Sequence, residues 1–345
     1  MLTRLAVSIP VLTALLALAM AFSATLGFMQ ISVADVFAIV CAKIGLIAPP
    51  VGIDPMEATV VADVRLPRII TAVLVGGLLA VSGAVFQGIL LNPLADSYTL
   101  GISTGSAFGA SLVIVLQVFG ITLPAGATVP IFAFFGGVAT LVVVLFLASG
   151  DRSLSSTSLI LAGVIVAAIL SAAIGFLKFL ADEQVGLIIF WLMGSLAGAS
   201  WDNILLLTPV ALAGTLMAMA YSRDLNIMAT GERAAVSLGV NTVRLRVLLL
   251  CLCTLMTALA VSVSGIIGFV GLIIPHMIRH GIGPDNRVLI PFSFFMGGLL
   301  LLFADTLTRA ILPAEVPIGV LTALLGGPFF CILFKRRQRH GGTDF

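Results

Sequence analysis

Few residues in this 345-residue chain are able to do chemistry: 15 Asp and Glu, 17 Lys and Arg, three His and four Cys. Cys41, Cys251, Cys253 and Cys331 show no paired metal-ligand spacing. Cys251 and Cys253, two apart on an apolar helix, turn to different faces, so buried free thiols are expected. His276 follows Pro275 and stands alone, which fits a hydrogen-bonded structural histidine better than a haem or metal ligand. Asp305 and Arg309 are four apart and share a helix face, so their expected chemistry is an ion pair. None of these reads as a catalytic group. No Gly-x-x-x-x-Gly-Lys-Ser/Thr stretch occurs either, so the chain has no phosphate loop with which to bind ATP.

What remains is the chemistry of docking. Arg223–Arg246 is a polar island between apolar runs, far longer than a plain connection needs. Thr230 has the side chain of a helix cap, Glu232 would sit favourably in the first turn near the positive end of the dipole, and Gly239 suits a left-handed stop. A short second helix is expected from Asn241. Two short helices lying across a membrane face would form a rigid knob for a partner; a solvated loop is the plainer alternative.

The elements that must position these residues are membrane helices. The chain is 60% hydrophobic and 9% charged, with mean hydropathy +1.24, where soluble domains carry roughly 25% charge. Long uncharged runs include Leu5–Ala34, Ile69–Ala95, Ser97–Gly150, Ser153–Leu177, Val247–Ile278, Val288–Ala304 and Val316–Phe334. About 20 residues cross the hydrocarbon core as a helix. Ser97–Gly150 must then hold two spans with a turn near Gly120–Pro124, and Val247–Ile278 must break. With Ile188–Trp201 and Asn203–Tyr221 added, the expectation is an all-α, polytopic protein of about ten spans. The runs are apolar on every face, which argues against the alternating strands of a membrane barrel.

If the first span starts inside, Lys43, Arg65, Arg68, Lys178 and Arg309 fall outside and the other twelve of the 17 basic residues fall inside. That asymmetry places both termini, the island and the basic tail 335–345 in the cytoplasm. Leu5–Gly27 is too long for a signal-peptide core and is expected to be the first span. The glycine pairs Gly76-Gly77, Gly136-Gly137, Gly297-Gly298 and Gly326-Gly327 suit close helix approach. The centres of the spans are nearly free of charge, whereas an ion-coupled secondary transporter usually keeps charges there. Driving energy is therefore expected to enter through a partner, with the secondary transporter as one alternative and a membrane anchor without a pathway as another.

Several motifs in order carry a resemblance. Arg65-Leu-Pro-Arg68, Gly83-Ala-Val-Phe-Gln87, Asn92-Pro-Leu-Ala95 and Leu100-Gly-Ile-Ser103 come first. The island's Gly231-Glu-Arg-Ala-Ala-Val-Ser-Leu-Gly239 follows, and then Gly268-Phe-Val-Gly-Leu-Ile-Ile-Pro-His276 with Arg279, Ala304-Asp305, Arg309 and Pro317-Ile-Gly319. From Arg65 to Phe334 this resembles the FecCD-type permeases, the transmembrane subunits of ABC importers for iron–siderophore complexes, haem and cobalamin. The first 60 residues contribute nothing to it.

The resemblance implies a single transmembrane domain, residues 1–345, of type II importer architecture in a bacterial inner membrane. It implies a homodimer with the pore on its two-fold axis, two ATP-binding cassette subunits that bind ATP and Mg, and an extracytoplasmic substrate-binding protein. The chain itself would bind no cofactor and no nucleic acid. Thr230, Gly231, Glu232, Arg233, Ala234, Leu238 and Gly239 would seat in a cleft of the ATPase and transmit its closure. Asn92 with Leu94, and Ser156 with Thr157, would form two layers of a cytoplasmic gate, although Ser156 and Thr157 also suit helix capping. Arg65, Arg68 and Arg309, which run against the charge rule, would receive carboxylates of the binding protein through the planar guanidinium fork; snorkelling to lipid headgroups is the other use of such residues. An iron–siderophore cargo is expected, with cobalamin, haem and oxyanions left open.

Overall fold

In lipid every backbone N–H and C=O must find a partner within the chain, and this sequence meets that demand with helices. The structure, a computed structural model, describes residues 2–27, 29, 31–48, 52–121, 128–151, 153–310 and 316–339, with residues 2–8, 333–334 and 336–339 given by backbone alone. Among the described residues no strand occurs. The elements are α1 (Leu2–Thr25), α2 (Val33–Lys43), α3 (Pro55–Thr59), α4 (Leu66–Ile89), α5 (Ile102–Val118), α6 (Val129–Ala148), α7 (Ser156–Ala181), α8 (Val185–Leu192), α9 (Trp201–Ala220), α10 (Ser222–Met228), α11 (Glu232–Ser237), α12 (Thr242–Ser264), α13 (Val270–Gly281), α14 (Asn286–Ala310) and α15 (Ile318–Arg339).

Six described helices are long and apolar enough to cross a membrane: Pro55–Ile89, Val129–Ala148, Ser156–Leu192, Trp201–Ala220, Thr242–Ser264 and Asn286–Ala310. Ile9–Thr25, Ile102–Val118 and Ile318–Ile332 are shorter apolar helices. Ten spans are reached only if these three and the 12-residue α13 also cross.

The bundle is built around α4. Its apolar window is 94% buried, against 28% for Ser156–Leu192 and 22% for α9, so α4 is the mast and the latter two present their sides outward. α4 packs against α14, α12, α13 and α9. Two of the glycine pairs meet here, because a Cβ on Gly76 would stand 2.3 Å from the carbonyl oxygen of Gly297, and one on Gly297 would stand 2.3 Å from that of Gly76. Backbones touching at this range leave room for nothing larger than hydrogen, which maximises van der Waals contact where no hydrophobic force draws helices together.

Two irregularities aim the ends of the mast and its neighbours. Pro67 has no N–H to give to the carbonyl of residue 63, and its ring clashes there; the turn before it, Val60–Arg65, widens into a π segment that feeds straight into α4. The expected break inside Val247–Ile278 lies at 265–269, where Gly265 and Phe269 both take φ of 68°. The backbone freed there is satisfied inside the protein: Ser195 N donates to Ser264 O at 2.8 Å. The expected turn near Gly120–Pro124 begins with Gly120 at φ 72°, and 122–127 lie outside the described residues. In the tail, Lys335–Arg339 continues α15, and 340–345 lie outside the described residues.

Candidate functional site

The polar island folds as a knob of two short helices, α10 and α11. α10 is pinned by apolar burial of Leu225 and Met228 and by Asn226, whose Nδ2 donates to Asp285 at 2.7 Å and whose Oδ1 accepts from Asn286 N at 2.9 Å. Two expectations change in detail. Thr230 does not cap α11: its hydroxyl donates back to the Ile227 carbonyl at 2.7 Å, closing α10. The cap position belongs to Gly231 at φ 105°, a conformation barred to a β-branched residue. Asn241 does start a helix, its side chain accepting from Arg244 N at 3.0 Å, but that helix is the long α12; the second short helix is α10, on the other side of the turn.

Gly239 does what was expected. At φ 87° it ends α11 while its N–H bonds Val236 O and the N–H of Val240 bonds Ala235 O, each at 3.0 Å, the paired closure of a Schellman motif. Buried Ala235 anchors the helix, while Arg233, Ala234, Leu238 and Gly239 are exposed and Glu232 is half-buried. Val236 and Leu238 are 58% and 65% exposed, an apolar tip flanked by charge.

The two expected gate segments are sharp turns, each entered through a leucine of left-handed backbone, Leu91 at φ 48° and Leu154 at φ 47°. Such conformations cost non-glycine residues about 1–3 kcal/mol and persist only where the surroundings enforce them. After Leu91, the Asn92 side chain accepts from Leu94 N at 2.9 Å, and the Leu94 side chain projects outward, 54% exposed. Next in the chain, the buried Asp96 accepts from Tyr98 N and Thr99 N, both at 3.0 Å; burial pushes its carboxyl up to about 6.

In the second segment the cap of α7 is Ser155, whose Oγ accepts from Ser158 N at 3.3 Å. This relieves Ser156 and Thr157 of the capping duty that sequence allowed them and leaves them in the first turn. Asp151 organises the approach by accepting from Ser153 N at 2.9 Å, Ser155 N at 3.0 Å and Ser158 Oγ at 3.0 Å. Hydrogen bonds from Ser155 and Ser153 hold its carboxyl well below the usual carboxylate range.

Between these segments lies a residue that sequence reasoning passed over as the end of the island. Arg246 has no exposed surface. Its Nη1 donates to Ser153 O at 2.9 Å and Leu154 O at 2.8 Å, and its Nε to Ile89 O at 3.4 Å. Glu232 lies 3.5 Å from the same Nη1. The signal available in sequence was the second of two arginines in the first turns of α12, placed directly against the apolar run from Val247.

At the opposite end of α4 and α14 the structure gathers Arg68 and Arg309 on Asp305, with Arg65 beside Arg309. The expected Asp305–Arg309 pair is present at 3.6 Å, but Arg68 Nε donates to Asp305 more closely, at 2.8 Å. Arg309 also donates to Leu26 O at 2.6 Å and Ser23 O at 2.8 Å, and Arg65 to Ala24 O at 2.7 Å and to Met29 O. The three arginines expected to dock a partner are thus brought together, with their guanidiniums turned into the chain rather than toward solvent.

Two other motifs of the sequence meet where α4 and α13 pack, through Arg279 donating to Gln87 Oε1 and Gln87 Nε2 donating to Gly271 O at 3.2 Å. His276 packs against Phe329 and Phe330, ring centroids 6.4 Å apart. Cys253 is buried and Cys251 exposed, so they do face different ways; Cys331 is also exposed, contrary to the expectation that all four thiols are buried. Among the described residues no group of three metal-ligating side chains comes together.

A family model, the FecCD transport family, matches residues 15–336. The hemin transport system permease protein HmuU of Yersinia pestis is 42% identical over 283 residues, covering 81% of this chain and 84% of that protein. The cobalamin import system permease protein BtuC of Halobacterium salinarum is 39% identical, with 83% and 76% covered. The molybdate import system permease protein MolB of Haemophilus influenzae is 38% identical, with 96% of both chains covered. Among solved structures, a metal-chelate type ABC transporter in an inward-facing conformation superposes with a TM-score of 0.81 at 34% identity, over 95% of this chain and 98% of that one.

Proposed function

The chain belongs to the FecCD transport family, and we propose that it is the membrane-spanning subunit of an ATP-driven importer that moves a metal chelate, an iron–siderophore complex, into the cytoplasm. The observation that carries this reading is the knob formed by α10 and α11. It exposes an apolar and charged tip on a chain that has no phosphate loop of its own, and a protein that must receive work from a separate ATPase needs such a handle.

In this reading the chain works as a homodimer in the inner membrane with both termini inside, bound to two ATPase subunits that hold ATP and Mg. Glu232, Arg233, Ala234 and Leu238 contact the ATPase, with Thr230, Gly231 and Gly239 shaping the knob. Asn92 with Leu94 and Ser156 with Thr157 close the cytoplasmic side of the pathway. A loaded binding protein docks at the end that holds Arg65, Arg68 and Arg309, where these buried guanidiniums tie the ends of α1, α4 and α14 together and fix the surface that it meets. Nucleotide-driven closure moves the knobs, and the two sides of the pathway open in turn.

Uptake in proteoliposomes tests the cargo. The complex should accumulate radiolabelled iron–siderophore only with ATP and the binding protein present. Equal uptake driven by an ion gradient without ATP would reject the ATP-driven mechanism. A second cargo is favoured by one observation, the molybdate permease that aligns over 96% of both chains. Radiolabelled molybdate accumulated in place of the siderophore complex would move the assignment to an oxyanion.

A further inference from the structure

Three segments that the proposed mechanism must move together converge on one buried side chain. Arg246 is held by the carbonyls of Ser153 and Leu154 in the turn entering α7, by the carbonyl of Ile89 at the end of α4, and by the carboxylate of Glu232 on α11. Ser153 and Leu154 lie two or three residues before Ser156, and Ile89 lies three before Asn92. Its contacts therefore reach both gate turns and the knob.

We propose that Arg246 is a positioning residue that carries displacement of α11 into both gate turns at once; this rests on the coupling role proposed for α11. A fully buried guanidinium tolerates loss of its counter-ion poorly, because an uncompensated charge away from water is costly. When an ATPase shifts α11, Glu232 moves and the guanidinium follows it. The fork holds three carbonyls in a fixed geometry, so they follow in turn. Those carbonyls flank Leu91 and Leu154, whose left-handed backbone is already strained and has a relaxed alternative to fall into. The half-exposed Glu232 is the input and the two leucine turns are the output.

The test reads the gate without needing the cargo. Leu94→Cys is introduced with the exposed Cys251 and Cys331 changed to serine, and the complex is purified with its ATPase subunits. Maleimide labelling of the new thiol is timed with and without ATP plus vanadate, alongside ATP hydrolysis. The relay predicts that nucleotide changes the labelling rate in this parent, and that Glu232→Gln and Arg246→Lys shrink that change by about tenfold, within the usual range of coupling between sites, with hydrolysis continuing in Arg246→Lys, whose side chain is buried away from the ATPase. Glu232 is half-exposed and glutamine keeps an oxygen acceptor facing Arg246, so Glu232→Gln holds the fold if Arg246→Lys does not. A nucleotide response undiminished in Glu232→Gln overturns the relay and leaves the coupling reading standing. No response even in the parent overturns both.

Discussion

Asp305 lies between Arg68 and Arg309 and has no exposed surface. It neutralises Arg68 at 2.8 Å and Arg309 at 3.6 Å, so replacing it by alanine leaves buried guanidiniums facing one another. Loss of one partner of a buried pair costs about 3–5 kcal/mol; Asp305→Ala should lower the detergent unfolding midpoint accordingly, and an unchanged midpoint would mean that the cluster is solvated. Asp96 gives a pH signature. Its folded pKa lies at about 6, above the ordinary 3.8, so the folded chain binds this proton more tightly than the unfolded chain. Stability from this group is fully present below about pH 4 and falls as pH rises toward 6, by up to about 3 kcal/mol. Asp96→Asn keeps the acceptor for Tyr98 N and Thr99 N, so the parent's Tm should gain on the variant's as pH drops from 7 to 5. At this scale sequence spacing revealed the Asp305–Arg309 pair, because i and i+4 is a local relation. Arg68 and Arg246 escaped it, because their partners lie 237 and up to 157 residues away.

The contact of α4 with α14 depends on glycine at the crossing. Gly76→Val would drive two methyl groups into the Gly297 carbonyl, and overpacking of this kind costs about 1–3 kcal/mol or forces the helices apart. Thermal unfolding should show the loss. A partial rescue by a compensating change is not expected at Gly297, because its own Cβ would also strike backbone. Helix identity was legible in the long apolar runs, and so was a break somewhere within Val247–Ile278, but its place at 265–269 was not. Helix ends were less so. Thr230 and Gly231 are adjacent, and composition favours threonine as a cap; only the φ of 105° demanded by the turn between α10 and α11 decides for glycine. α2 and the π segment before α4 were silent in sequence, since neither carries an uncharged run long enough to notice.

At the scale of the whole molecule, the proposed mechanism makes α11 the handle and the two leucine turns the gates. Changing Glu232 and Arg233 together to alanine should leave expression and dimerisation intact, since Arg233 is exposed and the carbonyls of Ile89, Ser153 and Leu154 still hold Arg246. Transport-coupled ATP hydrolysis should fall by about tenfold; hydrolysis still tied to uptake as in the parent would remove α11 from the coupling path. The family and its architecture were legible from ordered motifs that run through most of the chain. The inward turn of Arg65, Arg68 and Arg309 was not, because topology places a residue at a membrane face without saying whether its fork points out or in.

The most direct test of the central claim is the composition of the complex in its native membrane. The chain is extracted in mild detergent and its intact assembly weighed by native mass spectrometry. The account predicts two copies of this chain with two phosphate-loop ATPase subunits. A chain that comes out alone, from membranes whose ATP-depleted vesicles still take up the cargo, would contradict it.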